Sequence, residues 1–343
     1  MDCPVGGRDC VRPAHEVLAA IPMRFAPCPS CTVHILDKRA PLPALEYQEP
    51  CSCGKRFIDD VFSHLYVIMV EEGDLARDAP LIAVGSPLIH PGSVMDRPPF
   101  LPEKSLLLLS AVASPQAARR IMAEVPEVRG VVRSGGFVPG IYRHDLTCPA
   151  KTYDCLAGCD VRADVFPIGK VKLVIYRPQS RIHIEFPRAG YAKLQSVLAH
   201  VGDPPAPFFV DACSGPGTLG LAAALRGVGH VILNDAWYWS AYWAAVNIEV
   251  NREYFDIDHV RFTGPPPGPG QPLMGTKPVK IAETKGRQKI EVYFGNFQNL
   301  SGVIPNGSRP VAALDIFEKD NHETARAVIR SWRAAFGGDA FIP

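Results

Sequence analysis

The order of apolar and polar positions in the second half of the chain predicts strands that alternate with helices. The apolar strand FFVD, which begins at Phe208, precedes a glycine-rich turn and the helix TLGLAAALRG, and the strand HVILND precedes a second helix. This alternation of strands and helices is typical of βαβ units in a parallel sheet. The segments EVYFG, PVAALD and GGDAFIP predict three further strands, so five strands are expected from Phe208 onward.

Two segments in this half depart from the alternation. Residues 170–186 contain two apolar runs around a turn at Pro178–Ser180, and they predict a β-hairpin. Residues 263–278, TGPPPGPGQPLMGTKP, contain too much proline and glycine for the interior of a helix or strand. They predict a loop or flap between the second helix and the third strand of the sheet.

The first half of the chain predicts a smaller, mixed α/β region. Between residues 60 and 145, apolar runs such as SLLLLSAV and RGVVRSG flank the helix SPQAARRIMAEV, whose start is marked by Ser114 and Pro115. Nine of the ten cysteines lie before Asp160, and Cys213 alone lies beyond it. This asymmetry predicts two halves with different chemistry.

Composition narrows the class of protein. With 47% hydrophobic and 21% charged residues, the 343-residue chain is an ordinary globular protein, which excludes general disorder. Its formal net charge of +1 excludes a basic surface spread over the whole molecule. No apolar run approaches the ~20 residues that span a bilayer and no secretory signal opens the chain, so we expect a cytoplasmic protein without membrane contact.

Charged residues are clustered in a few places. Basic residues are concentrated in segments 151–193 and 277–289, which form either solvated faces or a track for the phosphate backbone of RNA. The adjacent acids Asp59 and Asp60 are expected to be surface charges, because neighbouring residues point in different directions on any regular element.

Two pairs of cysteines have the spacing of a zinc site. Cys28 and Cys31 form a C-x2-C pair, and Cys51 and Cys53 form a C-x-C pair after nineteen intervening residues. Two such turns can hold a tetrahedral Zn²⁺ through four thiolates. The alternative is a set of unliganded or differently paired cysteines.

A second group of cysteines has a looser spacing. It could contribute to another metal site or to an iron–sulfur cluster, and buried or free thiols are the alternative. The ligands considered for this second site are Cys148, Cys155 and Cys159, completed by Cys3, Cys10 or His144.

The turn after the strand FFVD is the most informative segment of the chain. Gly215 and Gly217 allow unusual backbone angles and the close approach of a ligand, and the start of the following helix presents free N–H groups. Asp235 ends the next strand, where a carboxylate accepts hydrogen bonds from the two hydroxyl groups of a ribose. These features predict a site for a nucleoside-bearing cofactor.

The glycines alone do not identify the cofactor. Together with Gly220 they satisfy the G-x-G-x-x-G pattern of a dinucleotide site, which keeps an NAD-dependent oxidoreductase as an alternative. Asp211, at the end of the first strand, discriminates between the two, because a diphosphate-binding turn has no use for a carboxylate whereas a cationic amino-acid group does. S-adenosylmethionine carries both an ammonium and a sulfonium group, so the residues favour the methyl donor.

The run D-A-C-S-G-P-G after a strand, followed by V-I-L-N-D, resembles the motifs of class I S-adenosylmethionine-dependent methyltransferases. It also looks like those of archaeal and eukaryotic tRNA guanine methyltransferases and their RNA-modifying relatives. The resemblance covers residues 208–343. It implies that the turn binds the methionine part of the cofactor, that Asp235 binds the ribose, and that Asn296 with Phe297 holds the adenine.

Asn296 and Trp237 lie on the adenine side of the predicted site. Relatives more often have Asp at the position of Asn296, and an amide can still bond the adenine through its two ends. Trp237 lies two residues past the ribose acid and either covers the adenine or packs in the core. The full set of predicted cofactor-binding residues is Asp211, Ala212, Ser214, Gly215, Gly217, Asp235, Ala236, Trp237, Asn296 and Phe297.

The fourth predicted strand supplies the catalytic candidates. In the resembled enzymes, an Asn or Asp followed by proline and an aromatic residue stands here, whereas this chain has Asp315, Ile316 and Phe317. The resemblance implies that Asp315 orients or deprotonates the acceptor and that Phe317 stacks on a flat acceptor. Because the proline is missing, the N-methylating mechanism of the relatives does not carry over.

The resembled fold has seven strands, two more than the five expected here. We therefore predict an α/β fold with a Rossmann-like, mostly parallel sheet that is either shortened or rearranged by the hairpin 170–186. Three parts are expected. They are a zinc-ribbon-like module (1–58), a small α/β substrate-recognition region (59–165), and the cofactor-binding domain with its preceding hairpin (166–343).

The sequence thus predicts a methyltransferase that uses S-adenosylmethionine, with a structural Zn²⁺ as a second cofactor. The preferred acceptor is RNA, as a base of tRNA or rRNA, while a small-molecule or protein acceptor stays open. The alternatives are an NAD-dependent oxidoreductase and a catalytically inactive, methyltransferase-like binding protein.

Overall fold

The chain divides into two compact units, seen in a computed structural model that describes residues 10–140, 150–268, 274–305, 307–317 and 319–343. The first unit comprises the chain up to Val138 together with Thr152–Val165 and Pro178–Ser180. The second comprises Pro139–Lys151, Phe166–Arg177 and Arg181–Pro343. The division into parts 1–58, 59–165 and 166–343 stays a prediction.

Helices and strands alternate through most of the chain. The α-helices are α1 (Ala14–Arg24), α2 (Ile58–Glu71), α3 (Pro115–Glu124), α4 (Ala192–Val201), α5 (Thr218–Leu225), α6 (Tyr238–Val250) and α7 (His322–Phe336), and short 3-10 helices cover Leu81–Val84, Arg252–Tyr254 and Phe297–Gly302. Among the described helices, none combines the length and the apolar character needed to cross a bilayer.

The strands before residue 180 are β1 (Arg56–Phe57), β2 (Ser86–Ile89), β3 (Phe100–Leu101), β4 (Leu106–Ser110), β5 (Val128–Arg133), β6 (Asp154–Gly158), β7 (Val161–Ile168) and β8 (Val171–Pro178). The later strands are β9 (Phe208–Asp211), β10 (His230–Asp235), β11 (Ile257–Phe262), β12 (Val279–Gly286), β13 (Lys289–Phe294), β14 (Val311–Ala313) and β15 (Asp339–Phe341).

A four-stranded mixed sheet, in the order β2-β4-β5-β6, organises the first unit. Strands β4 and β5 are parallel and α3 connects them, while β2 and β6 run antiparallel to their neighbours. Helix α3 begins as predicted, since the Ser114 hydroxyl accepts a hydrogen bond from the Ala117 N–H and Pro115 follows directly. Helix α2 contributes fully buried side chains such as Leu65 and Ile68. The predicted N-terminal mixed α/β region is confirmed.

The second unit contains a seven-stranded sheet in the order β11-β12-β13-β10-β9-β14-β15. The run β13-β10-β9-β14-β15 is parallel, and the chain winds away from β9 first to one side and then to the other. Ile232 of β10 packs in an apolar cluster with Trp332 of α7. Strand alternation turns Leu233 to the opposite face, where α5 packs. The predicted Rossmann-like, mostly parallel fold class is confirmed.

The rearrangement of this sheet differs from the one predicted. Its two additional strands are β11 and β12, which run antiparallel at the β13 edge, and they do not come from residues 170–186. Strand β8 pairs with β7 instead, and residues 182–186 form no strand. The Glu185 carboxylate accepts hydrogen bonds from three side chains, so the alternating pattern there serves side-chain contacts and not a backbone ladder.

Two buried amides dock β8 on α6. The Asn247 side chain accepts a hydrogen bond from the Tyr176 N–H at 2.7 Å and donates to the Tyr176 carbonyl at 2.9 Å. Asn251 makes the same pair of bonds with Val174, at 2.9 and 2.7 Å. An amide offers both a donor and an acceptor, so each side chain makes the pair of hydrogen bonds that the backbone of a neighbouring strand would make. The Asn247 amide also donates to the Pro216 carbonyl and thereby holds the glycine turn.

Candidate functional site

Three acids gather at the carboxyl edge of the parallel strands, where the winding of the sheet reverses. Asp211 is the last residue of β9, Asp235 is the last residue of β10, and Asp315 follows β14 by two residues. In open α/β sheets, ligands bind outside this edge at the point of reversal. We refer to Asp211, Asp235 and Asp315 as the acid cluster.

The Asp235 carboxylate connects the glycine turn to the start of α6. One oxygen accepts a hydrogen bond from the Gly215 N–H at 2.8 Å, and the other accepts one from the Trp237 N–H at 2.8 Å. Burial raises the pKa of Asp235 to about 7, and the two N–H groups oppose this shift. Each carboxylate oxygen can accept a further hydrogen bond, so acceptors remain for a ligand.

Asp211 is fully buried at the same turn. One carboxylate oxygen accepts a hydrogen bond from the Gly220 N–H in the first turn of α5 at 2.8 Å. The other has no hydrogen-bond partner within the described part of the chain. Burial raises the pKa of Asp211 to about 8, and the charges of Asp315 and Asp235 add to this shift. A buried carboxylate oxygen without a donor is unfavourable, so a cationic donor from a ligand would stabilise it.

The glycines of the turn have different roles. Gly215 and Gly217 have φ values of +52° and +92°, in the left-handed region. A β-carbon at Gly215 would meet no atom within 4 Å, so the turn is open to a ligand there. At Gly217 a β-carbon would lie 3.3 Å from Ala244, and at Gly220 it would lie 2.0 Å from Leu233. These last two glycines let α5 pack closely on its neighbours.

Adjacent strands hold the backbone of the turn. The buried Ala212 donates its N–H to the Ala313 carbonyl of β14, and Ser214 donates its N–H to the Asn234 carbonyl. The buried Asn234 amide donates to the carbonyls of Ala212, at 3.0 Å, and Gly295, at 2.9 Å. Asn234 is not among the residues predicted from the sequence, although a polar amide inside the apolar run HVILND was a usable signal.

The residues after β10 lie against the end of the proline-rich loop. The Ala236 carbonyl accepts a hydrogen bond from the Gly275 N–H, and Trp237 forms a backbone bridge with Met274. The Trp237 side chain is almost fully buried, and its indole N–H has no partner among the described residues.

The two predicted adenine residues have mainly structural contacts. The Asn296 side-chain oxygen accepts a hydrogen bond from the Gln298 N–H at 3.0 Å and caps the 3-10 helix Phe297–Gly302. The Phe297 ring is buried in the apolar cluster that includes Trp332. The structure therefore brings the acids and glycines of the predicted site together but directs Phe297 into the core.

Asp315 is held by two lysines. One carboxylate oxygen lies 2.5 Å from the Lys193 Nζ, and the other accepts a hydrogen bond from Lys319 at 3.2 Å. Both oxygens are thus engaged by ammonium groups, which fix the orientation of the carboxylate. Phe317 is 47% exposed, and a β-carbon at Gly140 would lie 3.2 Å from its ring.

Lys193 belongs to a polar network that the sequence did not predict. Its Nζ lies 3.2 Å from Glu185, which also accepts hydrogen bonds from Arg177 at 2.9 Å and from the Tyr191 hydroxyl at 2.7 Å. Burial opposes ionisation of both partners, yet the charges of Arg177 and Lys193 lower the pKa of Glu185. In the same way, the charges of Glu185 and Asp315 raise the pKa of Lys193.

The buried acid at the turn predicts a measurable pH dependence of stability. The pKa of Asp211 is about 8 in the folded protein and about 3.9 in an unfolded chain. Between these values the unfolded state has lost the proton that the folded state keeps, so the free energy of unfolding falls as the pH rises. We expect Asp211→Asn to reduce this fall, measured as the unfolding temperature between pH 5 and 8. Identical slopes in wild type, Asp211→Asn and the exposed control Asp258→Asn would contradict the assignment.

In the first unit, the four predicted zinc ligands come together. All four Sγ atoms lie within 4.8 Å of one another. The Sγ atoms of Cys28 and Cys51 are 3.6 Å apart, those of Cys28 and Cys31 are 3.7 Å apart, and those of Cys31 and Cys53 are 3.6 Å apart. Thiolates about 2.3 Å from a tetrahedral Zn²⁺ lie roughly 3.8 Å from one another. The donor set therefore fits a Zn²⁺ ion.

Backbone hydrogen bonds shape the two cysteine turns. The Cys31 N–H donates to the Cys28 carbonyl at 3.1 Å, and the Gly54 N–H donates to the Cys51 carbonyl at 2.7 Å, with Gly54 at a φ of +76°. The Cys53 N–H lowers the pKa of the Cys51 thiol to about 6, whereas burial raises the pKa of the Cys31 thiol to about 12. A thiolate is the form that binds metal.

Asp59 and Asp60, expected as surface charges, are each only 5% exposed, so that expectation was wrong. Asp59 accepts a hydrogen bond from the Leu36 N–H at 2.9 Å and pairs with Lys38, while His34 lies 3.2 Å from Asp60. Both acids occupy the first turn of α2, where the helix dipole stabilises carboxylates. They anchor the segment between the cysteine pairs on α2.

The second group of cysteines does not form a comparable cluster in the described ranges. Cys155 is exposed, and Cys159 is half-buried and accepts a hydrogen bond from Arg129 at 3.7 Å. Among the described residues, the four cysteines above are the one group of three or more potential metal ligands in close contact. Cys3, Cys148 and His144 lie outside the described residues.

The order β13-β10-β9-β14-β15, the glycine turn after β9 and the acid at the end of β10 define a class I methyltransferase-like fold. No family model matches the chain and no curated protein matches it. Solved structures do. Trm1 from Pyrococcus horikoshii, in complex with S-adenosyl-L-methionine, is 20% identical over 45% of this chain and 36% of that chain, with a TM-score of 0.32.

Two other solved structures give a similar result. TYW2 from Pyrococcus horikoshii, in complex with MeSAdo, is 18% identical over 56% of this chain and 60% of that chain, with a TM-score of 0.32. The complex of aTrm5 with tRNALeu is 15% identical over 57% of this chain and 49% of that chain, with a TM-score of 0.31. The chain thus spans less than two thirds of the length of each of these proteins.

Proposed function

We propose that the protein transfers a methyl group from S-adenosylmethionine to an RNA base. The observation that carries the proposal is the turn after β9, where Gly215 is open to a ligand and a buried oxygen of Asp211 has no donor in the described part of the chain. In this proposal Asp211 binds the ammonium group of the methionine part, and Asp235 binds the ribose hydroxyls. The bound cofactor supplies an electrophilic methyl group on its sulfonium.

The acid cluster favours this cofactor over a dinucleotide. NAD would bring its negatively charged diphosphate to the glycine turn, next to Asp211 and within the influence of Asp235 and Asp315. S-adenosylmethionine brings an ammonium and a sulfonium group to the same place. These cations favour the ionised forms of Asp211 and Asp235, whose pKa values burial raises, so the charges in the complex are complementary.

Calorimetric titration separates these two cofactors. We expect S-adenosylhomocysteine to bind with a 1:1 stoichiometry and NAD to show no binding. Binding of NAD without binding of S-adenosylhomocysteine would contradict the proposal and favour an NAD-dependent oxidoreductase.

The residues of this chain would act mainly by positioning the acceptor. Methyl transfer requires the acceptor atom, the methyl group and the sulfur to be aligned in a site from which water is excluded. Asp315, fixed by Lys193 and Lys319, would orient a polar edge of the acceptor. The half-exposed Phe317 ring would stack on its flat face.

RNA as the acceptor is supported by exposed basic side chains in the second unit. Lys170, Lys172 and Arg188 are exposed there and could contact phosphates. The predicted basic track is smaller than expected, because other members are engaged by carboxylates. Those members are Arg162, Arg177, Lys193, Lys280, Lys285, Arg287 and Lys289.

A labelling experiment tests the acceptor. The protein is incubated with methyl-tritiated S-adenosylmethionine and separate pools of tRNA, rRNA, cellular protein and small metabolites. We expect label in an RNA pool that ribonuclease then releases. Label confined to protein or to metabolites would show that the acceptor belongs to that class and not to RNA. Binding of S-adenosylhomocysteine without label in any pool would indicate an inactive binding protein.

We also propose that the four clustered cysteines bind a structural Zn²⁺ ion. The proposal is supported by the distances between the sulfur atoms and by the two turns that present them. Four thiolates complete a tetrahedral shell, so the ion would have no open position for a substrate. Its role would be to stabilise the segment that precedes α2.

A further inference from the structure

Lys193 places its ammonium group beside Asp315, a member of the acid cluster in the candidate cofactor site. Its Nζ lies 3.2 Å from Glu185 and 2.5 Å from Asp315, and 19% of its side chain is exposed. Glu185 is itself fixed by Arg177 and by the Tyr191 hydroxyl. The ammonium group therefore has a defined position at the start of α4 and differs from a solvated surface charge.

The charge of Lys193 acts on two members of the acid cluster, Asp315 by direct contact and Asp211 over a longer distance. Burial has the largest effect on the pKa of Asp211, the charges of Asp315 and Asp235 raise that pKa further, and the charge of Lys193 lowers it. The Cys213 thiol lies among the same acids, and burial raises its pKa so that it carries no charge at neutral pH. The ammonium thus favours the ionised form of Asp211 at the place where the proposed cofactor would bind.

Methyl transfer changes the charge of the cofactor. S-adenosylmethionine has a positive sulfur, whereas its product, S-adenosylhomocysteine, has a neutral one, so positive charge leaves the sulfur as the transition state forms. A strongly negative site would stabilise the bound donor more than the transition state and would slow the reaction. A fixed cation beside the acids reduces the difference between the stabilisation of the bound donor and that of the transition state.

We infer that Lys193 sets the charge balance of the cofactor site, and that its ammonium weakens the binding of the positively charged donor relative to the neutral-sulfur product. This inference rests on the proposed function and adds to it a residue outside the ten that the sequence predicted. Glu185 then acts as a positioning residue, because it holds the ammonium beside Asp315.

The ratio of two dissociation constants tests the inference without knowledge of the acceptor. We expect Lys193→Met to lower the ratio of the dissociation constant of S-adenosylmethionine to that of S-adenosylhomocysteine by on the order of tenfold. An effect of this size is typical of one unit charge acting on another across a partly buried site with an effective dielectric constant of about 20. Lys193→Arg keeps the charge and should keep the wild-type ratio.

Lys289→Met is the matched control. Lys289 lies at the amino end of β13, at the opposite end of the strand from the acid cluster, and pairs there with Glu291. The substitution removes the same charge from the same unit, and we expect an unchanged ratio because a distant, exposed charge is screened.

The outcomes distinguish the inference from the proposed function. If wild type binds neither ligand, the proposed function fails. If Lys193→Met changes both dissociation constants equally, or changes neither, the inference fails while the proposed function stands. Circular dichroism checks the fold of each variant, and Lys193→Gln, which keeps a polar group, provides the same test if the methionine variant does not fold.

Discussion

Replacing Asp235 by alanine is expected to weaken the binding of S-adenosylhomocysteine by about a hundredfold or more. The carboxylate accepts hydrogen bonds from the Gly215 and Trp237 N–H groups, so the substitution releases the turn and removes the proposed ribose acceptor in one step. A hydrogen bond to a charged group contributes about 1.5–3 kcal/mol. Loss of two ribose bonds therefore weakens binding by about a hundredfold or more, which titration calorimetry measures directly.

Two further variants make this result interpretable. Asp258→Asn removes an acidic charge from an exposed position of β11 in the same unit and should bind like wild type. Asp235→Asn keeps one acceptor oxygen and should have an intermediate affinity. Wild-type affinity in a folded Asp235→Ala protein would refute the assignment of the ribose site.

Replacing Cys51 by serine is expected to remove the metal and to destabilise the first unit. Binding of Zn²⁺ to zinc-finger peptides contributes about 10–16 kcal/mol, which is comparable to the margin of about 5–15 kcal/mol by which most domains are stable. We expect about one zinc per wild-type chain, almost none in Cys51→Ser, and a lower unfolding temperature for the variant. Elemental analysis and thermal unfolding measure these effects.

Cys155→Ser is the control for the metal experiment. Cys155 is an exposed cysteine of the same unit that lies outside the four-cysteine cluster, so both zinc content and unfolding temperature should stay at wild-type values. A chelator should lower the unfolding temperature of wild type and Cys155→Ser but not that of Cys51→Ser. An unfolding temperature that is the same with and without bound metal would overturn the structural role.

Local sequence patterns were sufficient to predict the parallel part of the sheet. Each of its strands is a short apolar run, and the turn residues Gly215 and Gly217 and the strand-end acid Asp235 lie at fixed distances along the chain from those runs. Spacing also predicted the cysteine cluster, because paired cysteines on two turns leave few other arrangements.

The features that sequence could not predict depend on contacts between distant segments. The ion pair of Lys193 with Asp315 joins residues 122 positions apart. The sequence around one of these residues gives no indication that the other lies nearby in the fold. Strand β11 is exposed along most of its length, so it lacks the apolar periodicity by which buried strands are recognised. The pattern around Glu185 had an alternating periodicity for another reason, since Glu185 contacts Lys193 through its side chain.

The docking of β8 on α6 limits how small a working cofactor domain can be made. A fragment starting at Phe208 would retain every glycine and acid of the site but would lack Val174 and Tyr176. The buried amides of Asn247 and Asn251 would then face water or one another, and the Pro216 carbonyl would lose a rigid donor. Transplanting this site into another scaffold therefore requires carrying a strand that contains none of its ligand-binding residues.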